Sequence, residues 1–150
     1  MSLYCVPDDP SCPTPVDFTR IGKVVKFLGT ELKTVNDTTA VAKFDTVSFM
    51  FSFTSSDRFL SVRTRWPSGL KPGDEAVATL FSSADTWNRE RYFPTVYTDI
   101  TSEGVFIVAD YIVDVSSGLN DDQLLDNVSA AVSTGVDALS FMQRVVEVSK

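Results

Sequence analysis

A two-residue hydrophobic alternation in the middle of the chain restricts it to folds that contain a β-sheet. Successive side chains of a strand point to opposite faces, so apolar residues at every second position predict a strand with one buried face. Four apolar residues alternate in this way with Ser48, Met50 and Ser52 between residues 46 and 54, namely Val47, Phe49, Phe51 and Phe53. After a turn at residues 55–57, residues 58–66 form a second predicted strand, with Arg63 and Arg65 on its solvent side.

Other short segments predict further strands. Residues 31–35 precede the turn-forming pair Asn36-Asp37, and residues 41–44 are placed to pair with them. Residues 95–100 and 105–114 flank a compact turn at residues 101–104, which predicts an antiparallel hairpin.

Three segments have helical spacing instead. Asp17 is a candidate N-cap for a helix that ends near Gly29, and Pro72 suits the opening of a second helix. The apolar stripe of that second helix consists of Val77, Leu80, Phe81, Ala84 and Trp87. Asn120 and Gln123 have the spacing of a capping box, which predicts a long third helix that starts near Asp121.

These segments predict an α+β domain with an antiparallel five-stranded curved sheet and three helices, in the order helix, three strands, helix, two strands, helix. At 150 residues the chain fits a single domain of common size. Four of the seven prolines fall in the first sixteen residues, which lack periodicity. We therefore expect a flexible Pro-rich leader at residues 1–16 and one folded domain at residues 17–150.

Composition excludes several classes of function. Thirteen Lys and Arg against twenty Asp and Glu give a net charge of −7, which repels nucleic-acid phosphates and anionic lipids. The start of the chain has neither the charged nor the apolar region of a signal peptide, and no apolar run reaches the roughly 20 residues of a membrane span. We expect a cytoplasmic protein that binds neither nucleic acid nor membranes.

The side chains that usually perform catalysis or hold metals are scarce. The chain has no histidine, which removes the commonest general base and zinc ligand, and it shows no phosphate loop, CxxC pair or nucleophile elbow. Asp110 and Asp114 do not have the spacing of a calcium loop. Cys5 and Cys12 would close only a very small loop, so reduced thiols are expected. We predict no enzyme activity, no cofactor and no metal.

Three segments resemble the YbjN-domain family, in particular its actinobacterial members. They are Leu60-Ser61-Val62-Arg63-Thr64-Arg65-Trp66, Asp85-Thr86-Trp87-Asn88-Arg89-Glu90-Arg91-Tyr92-Phe93-Pro94 and Gly118-Leu119-Asn120-Asp121-Asp122-Gln123-Leu124. The similarity spans roughly residues 17–146, and the Trp-Asn-Arg-Glu segment before an aromatic-Pro pair is its most specific mark. The resemblance implies a fold like that of type III secretion chaperones and a role in bacterial sensory transduction. It implies no catalytic residues.

Six residues are candidates for binding: Arg63, Arg65, Asn88, Arg89, Glu90 and Arg91. The two strand arginines could clamp a carboxylate or phosphate, or they could simply protect an exposed edge by their charge. Asn88 could meet a ligand or satisfy backbone groups of the turn that follows its helix, whereas residues 89–91 could form a contact surface or a solvated helix end. Trp87, by its register, belongs to the core.

We expect a non-catalytic interaction module, homodimeric, that regulates or chaperones a polypeptide partner. The alternative is a sensor of a small anionic ligand bound near Arg63, Arg65, Asn88 and Arg89.

Overall fold

The computed structural model describes residues 9–149 of the chain. Within them three α-helices and six strands follow one another in the order α1, β1, β2, β3, β4, α2, β5, β6, α3. Their bounds are Phe18–Phe27 (α1), Lys33–Thr34 (β1), Thr39–Phe44 (β2), Val47–Phe53 (β3), Phe59–Pro67 (β4), Ala76–Glu90 (α2), Thr95–Thr101 (β5), Gly104–Asp114 (β6) and Asp121–Ser149 (α3). No helix among these residues is both long and apolar enough to cross a membrane.

The strands form one sheet with the order β1-β2-β3-β4-β6-β5. The predicted α+β class and antiparallel pairing are confirmed, but the count of five strands and the order with three strands before α2 are wrong. Strand β1 has only two residues and pairs separately with β2, with Lys33 opposite Val41. Strand β1 lies within the predicted segment 31–35, and its predicted pairing with the next strand is present. With the segments 46–54 and 58–66 this makes four strands before α2, so the predicted count of three is one too low although each segment is predicted.

Contacts divide the chain into two compact units. The first contains the described residues up to Val62 together with Ile112–Val132, and the second contains Arg63–Tyr111 together with the described residues from Ser133 onward. The prediction of one domain behind a leader stays a prediction, and residues 1–8 of that leader lie outside the described residues.

The core of the first unit follows the predicted alternation. Phe49 and Phe51 of β3 are fully buried, whereas Met50 between them is exposed. Helix α1 begins after its predicted cap, since the Asp17 carboxylate accepts a hydrogen bond from the Arg20 N–H at 2.9 Å. These local features form where the pattern predicts them because each depends only on residues a few positions apart.

The start of α3 has the predicted capping box. The Gln123 N–H donates to Asn120 Oδ1 at 2.8 Å, and the Asn120 N–H donates to Gln123 Oε1 at 2.9 Å. Just before this cap, Thr14 and Leu119 form an isolated antiparallel bridge through two backbone hydrogen bonds of 3.1 and 3.0 Å. The segment around Thr14 is thus fastened to the beginning of α3.

Cys12 is disulfide-bonded, so the prediction of a reduced thiol is wrong for this residue. Cys12 is also buried, and its N–H donates to the Asp9 carbonyl at 2.9 Å in a tight turn. The chain has only one other cysteine, Cys5, which lies outside the described residues. Disulfides are typical of proteins in oxidising compartments. The predicted cytoplasmic location stays a prediction.

The second unit contains α2, β5 and β6 as far as Tyr111. Helix α2 begins at Ala76, four residues after the predicted opening at Pro72. The later start of α2 has a local cause. The Asp74 carboxylate accepts a hydrogen bond from the Lys71 N–H at 2.7 Å, which holds residues 71–74 in a turn. Along α2 the predicted stripe is buried except for Phe81, which is half exposed.

Candidate functional site

The end of α2 holds the start of β5, which is one of the two edge strands of the sheet. The Asn88 side-chain amide donates to the Val96 carbonyl at 2.8 Å, and its oxygen accepts the Val96 N–H at 2.9 Å. A strand at a sheet edge leaves such backbone groups without a partner. The amide therefore takes the place of one residue of a neighbouring strand. Of the two roles considered for Asn88, these bonds are those of the structural one, although the backbone groups belong to a strand and not to a turn.

Trp87 lies beside Asn88 and is buried, which confirms its predicted place in the core. Its indole N–H donates to the Pro94 carbonyl at 3.1 Å. Its ring also packs against Phe141 of α3, with 5.6 Å between the centroids. The Trp-Asn pair of the sequence motif is thus explained by structure, because both side chains hold the segment that leads into β5.

We expect the Asn88→Ala substitution to lower the free energy of unfolding by about 1–3 kcal/mol, because two backbone groups of Val96 lose their partner. The matched control is Arg89→Ala at the next position, where loss of an exposed ion pair changes stability by about 0.5 kcal/mol or less. Urea denaturation measures both, and hydrogen exchange of the Val96 amide reports on the site directly. Equal losses in the two variants would contradict this role of Asn88.

The two strand arginines both face carboxylates in the second unit. Arg63 Nη2 lies 2.8 Å and Nε lies 3.3 Å from Asp110 Oδ2, and Asp110 is buried. This hydrogen bond is the main reason why the pKa of Arg63 is raised above its ordinary value. Arg65 Nη2 lies 3.2 Å from Asp99 Oδ2, and its guanidinium stacks on the Phe106 ring at 3.6 Å. An anion at this face would have to compete with both carboxylates.

The other cationic candidates are also engaged. Arg89 pairs with Asp85 one helical turn earlier at 3.2 Å, with both side chains about 70% exposed. The guanidinium of Arg91 lies 4.8 Å from the centroid of the Trp87 ring. Glu90, which ends α2, forms no ion pair with another residue in the range 9–149.

The six candidate residues thus lie in two groups, one on β4 and one at the end of α2. No hydrogen bond or ion pair joins the two groups within the described part of the chain. Their role in binding stays a prediction, since the observed contacts of Arg63, Arg65, Asn88 and Arg89 are all with groups of the chain itself.

The acidic residues that were considered for chemistry have structural partners. Asp110 binds Arg63, and Asp114 accepts hydrogen bonds from the Ser116 hydroxyl and backbone N–H at 2.6 and 2.9 Å. These two bonds and the nearby Arg58 lower the pKa of Asp114. Across residues 9–149 no three acidic or cysteine side chains gather where they could hold a metal ion.

Two concave surfaces were not predicted from the sequence. The first is a groove of about 470 Å³ between α1 and the start of α3, in the first unit. It is lined by Arg20, Lys23, Val24, Phe27, Asp121, Asp122, Leu124 and Leu125. Phe27 is 76% exposed at its edge. The available signal was that Phe27 is a large apolar residue outside the stripe that α1 buries.

The second surface is a cavity of about 220 Å³ at the end of α2, in the second unit. Its lining residues are Trp87, Glu90, Arg91, Tyr92, Phe93, Thr134 and Asp137. Tyr92 is fully exposed, and Phe93 is 43% exposed. In the sequence these two aromatics stand out only as part of a motif, because their proximity to α3 depends on how whole elements pack.

Comparison with known proteins gives a family and a fold. The model of the YbjN family, described as "Putative bacterial sensory transduction regulator", matches residues 20–144. The crystal structure of YbjN from E. coli, described as "a putative transcription regulator", is similar with a TM-score of 0.66 at 12% sequence identity. That similarity covers 90% of this chain and 92% of the other. No curated protein matches the sequence.

Proposed function

Because this chain belongs to the YbjN family, we propose that it is a regulatory interaction module that binds a polypeptide partner and catalyses no reaction. The family is described as a regulator of sensory transduction, which supports regulation in general but names no partner. A chaperone-like or adaptor role is the form of regulation that requires only a binding surface.

The observation that carries this proposal is the groove between α1 and α3. Val24, Leu124 and Leu125 contribute apolar side chains to it, and Phe27 is largely exposed at its edge. Lys23 and Asp122 line the same groove, and neither forms an ion pair with another described residue. An apolar groove with free charges of both signs suits an amphipathic polypeptide segment.

The test is photo-crosslinking with benzoylphenylalanine at position 27 in cells of the source organism. We expect one discrete polypeptide adduct, which mass spectrometry identifies. The purified partner should then bind the Phe27→Ser variant at least about tenfold more weakly, since an aromatic hot-spot residue contributes about 2 kcal/mol or more at an interface.

The matched control places the same reagent at Val35, which is 62% exposed in the first unit but does not line the groove. An adduct of equal yield at both positions, or unchanged binding by Phe27→Ser, would refute the groove as the binding surface. An adduct with a second copy of the chain would identify the predicted homodimer as the occupant. Light scattering on the purified protein then gives the oligomeric state independently.

The predicted absence of nucleic-acid binding also becomes testable. With a net charge of −7, the protein should not bind duplex DNA at physiological salt.

The small anionic ligand stays a prediction, and no contact in the second unit favours it over polypeptide binding. Stabilisation by an anionic metabolite in a thermal-shift assay, lost in Arg63→Ala, would restore it.

A further inference from the structure

The cavity at the end of α2 has the size of a site for one side chain. Its volume is about 220 Å³, below the roughly 300–1,000 Å³ of pockets that hold whole small molecules. It is far from closed at its rim, because Tyr92 is fully exposed there. A side chain of a larger partner, presented from outside, fits such a site better than a free metabolite.

Charge in the cavity favours a cation. Glu90 and Asp137 both line it, and neither pairs with a cation in the described part of the chain. Glu90 is also the last residue of α2, where the helix dipole is negative. The one cation in the lining, Arg91, is directed to the Trp87 ring. The carboxylates of Glu90 and Asp137 thus have no ion pair with another described residue.

Aromatic faces at the same place suit a guanidinium group. The Phe93 ring is held edge-on against Tyr111, with centroids 5.2 Å apart and a 74° angle between the planes, and it remains 43% exposed. Tyr92 presents its whole ring. Arginine stacks on such rings, and the chain already contains one example, with the Arg91 guanidinium 4.8 Å from the Trp87 centroid.

We propose that this cavity binds an arginine side chain of the polypeptide partner. The inference rests on the proposed function and adds a chemical requirement to it, namely a basic residue in the bound segment. The guanidinium lies between Glu90 and Asp137 and stacks on the exposed aromatic rings. The cavity is therefore a specificity site that is separate from the apolar groove.

The test is an NMR titration of the full chain with N-acetylarginine amide at millimolar concentrations. The protein has only two tryptophans, so the indole N–H of Trp87 reports on the cavity and that of Trp66 serves as an internal reference. We expect a saturable shift of the Trp87 signal and none of the Trp66 signal. N-acetylcitrulline amide, which has nearly the same shape without the charge, should give no saturable shift.

Two double variants with the same change in net charge separate the site from general electrostatics. Glu90→Gln with Asp137→Asn removes the cavity carboxylates and should weaken binding about fivefold. Glu103→Gln with Glu147→Gln removes two exposed carboxylates that do not line the cavity and should leave binding unchanged. All four side chains are exposed, so all variants are expected to fold.

Absence of a saturable Trp87 shift, an equal shift with the citrulline compound, or equal weakening in both double variants would each overturn the proposal. None of these results depends on the natural partner. The arginine site can therefore fail while crosslinking at position 27 succeeds. If crosslinking fails and the arginine compound binds, the groove is wrong and the cavity stands.

Discussion

The Trp87→Ala substitution is expected to lower the free energy of unfolding by about 3–5 kcal/mol. Trp87 is only 5% exposed, it packs on Phe141, and its indole N–H bonds to the Pro94 carbonyl. Removal leaves a cavity that the surrounding side chains fill only in part, and it leaves a buried carbonyl without its donor. For a domain with a stability of about 5–15 kcal/mol, this is a large fraction.

Phe81→Ala is the matched control, since Phe81 belongs to the same predicted stripe of α2 but is 50% exposed. It should lose about 1 kcal/mol or less, because half of its surface is already in contact with water. Urea denaturation followed by circular dichroism measures both variants without depending on tryptophan fluorescence. Trp87→Phe keeps most of the ring and should show an intermediate loss. Equal losses in Trp87→Ala and Phe81→Ala would show that the burial of Trp87 does not contribute as described.

The second large effect is expected for Gly118→Ala. Gly118 has a φ of +77°, and a Cβ atom there would lie 2.6 Å from the Thr14 carbonyl oxygen and 2.7 Å from its carbonyl carbon. Both neighbours are backbone atoms, so they cannot move aside as the end of a side chain can. We expect a total loss of about 3 kcal/mol, in which the left-handed backbone accounts for about 1–2 and the strained Thr14–Leu119 pairing for the rest.

Gly69→Ala separates the cost of the steric clash with Thr14 from the cost of the left-handed backbone. Gly69 has nearly the same φ of +78°, but no atom beyond its two chain neighbours lies within 4 Å of the position of its Cβ. It should therefore lose only the 1–2 kcal/mol or so of the backbone conformation. Hydrogen exchange adds a local readout, since the Leu119 amide, which donates to the Thr14 carbonyl, should lose protection in Gly118→Ala alone. Unchanged protection in that variant would mean that Thr14 is not fastened to Leu119.

Local patterns explain why some predictions are confirmed. The capping box of α3 depends on two residues three positions apart, and both of its hydrogen bonds are present. The burial of Phe49 and Phe51 depends only on the alternation of side chains along one strand. In both cases the sequence spacing and the physical distance are linked by the geometry of a single element.

Periodicity did not distinguish Phe81 from Trp87, because it identifies one side of a helix and not how much of that side is covered. Phe81 is half exposed although its register is that of the stripe. In the same way, Pro72 satisfies the requirements of a first helical turn, yet the Asp74 side chain stabilises a turn at this point and α2 begins later. Several local structures were compatible with these residues, and neighbouring groups selected one.

The chain by itself determined its class, its antiparallel hairpins and its family resemblance, because these follow from spacing within ten residues or so and from a contiguous motif. Only the tertiary structure decided that Arg63 faces Asp110 across 47 residues of sequence, and that Tyr92 shares a cavity with Asp137. Such pairs are brought together by the packing of whole elements. The distances between their side chains depend on the fold, and no periodic pattern in the sequence predicts them.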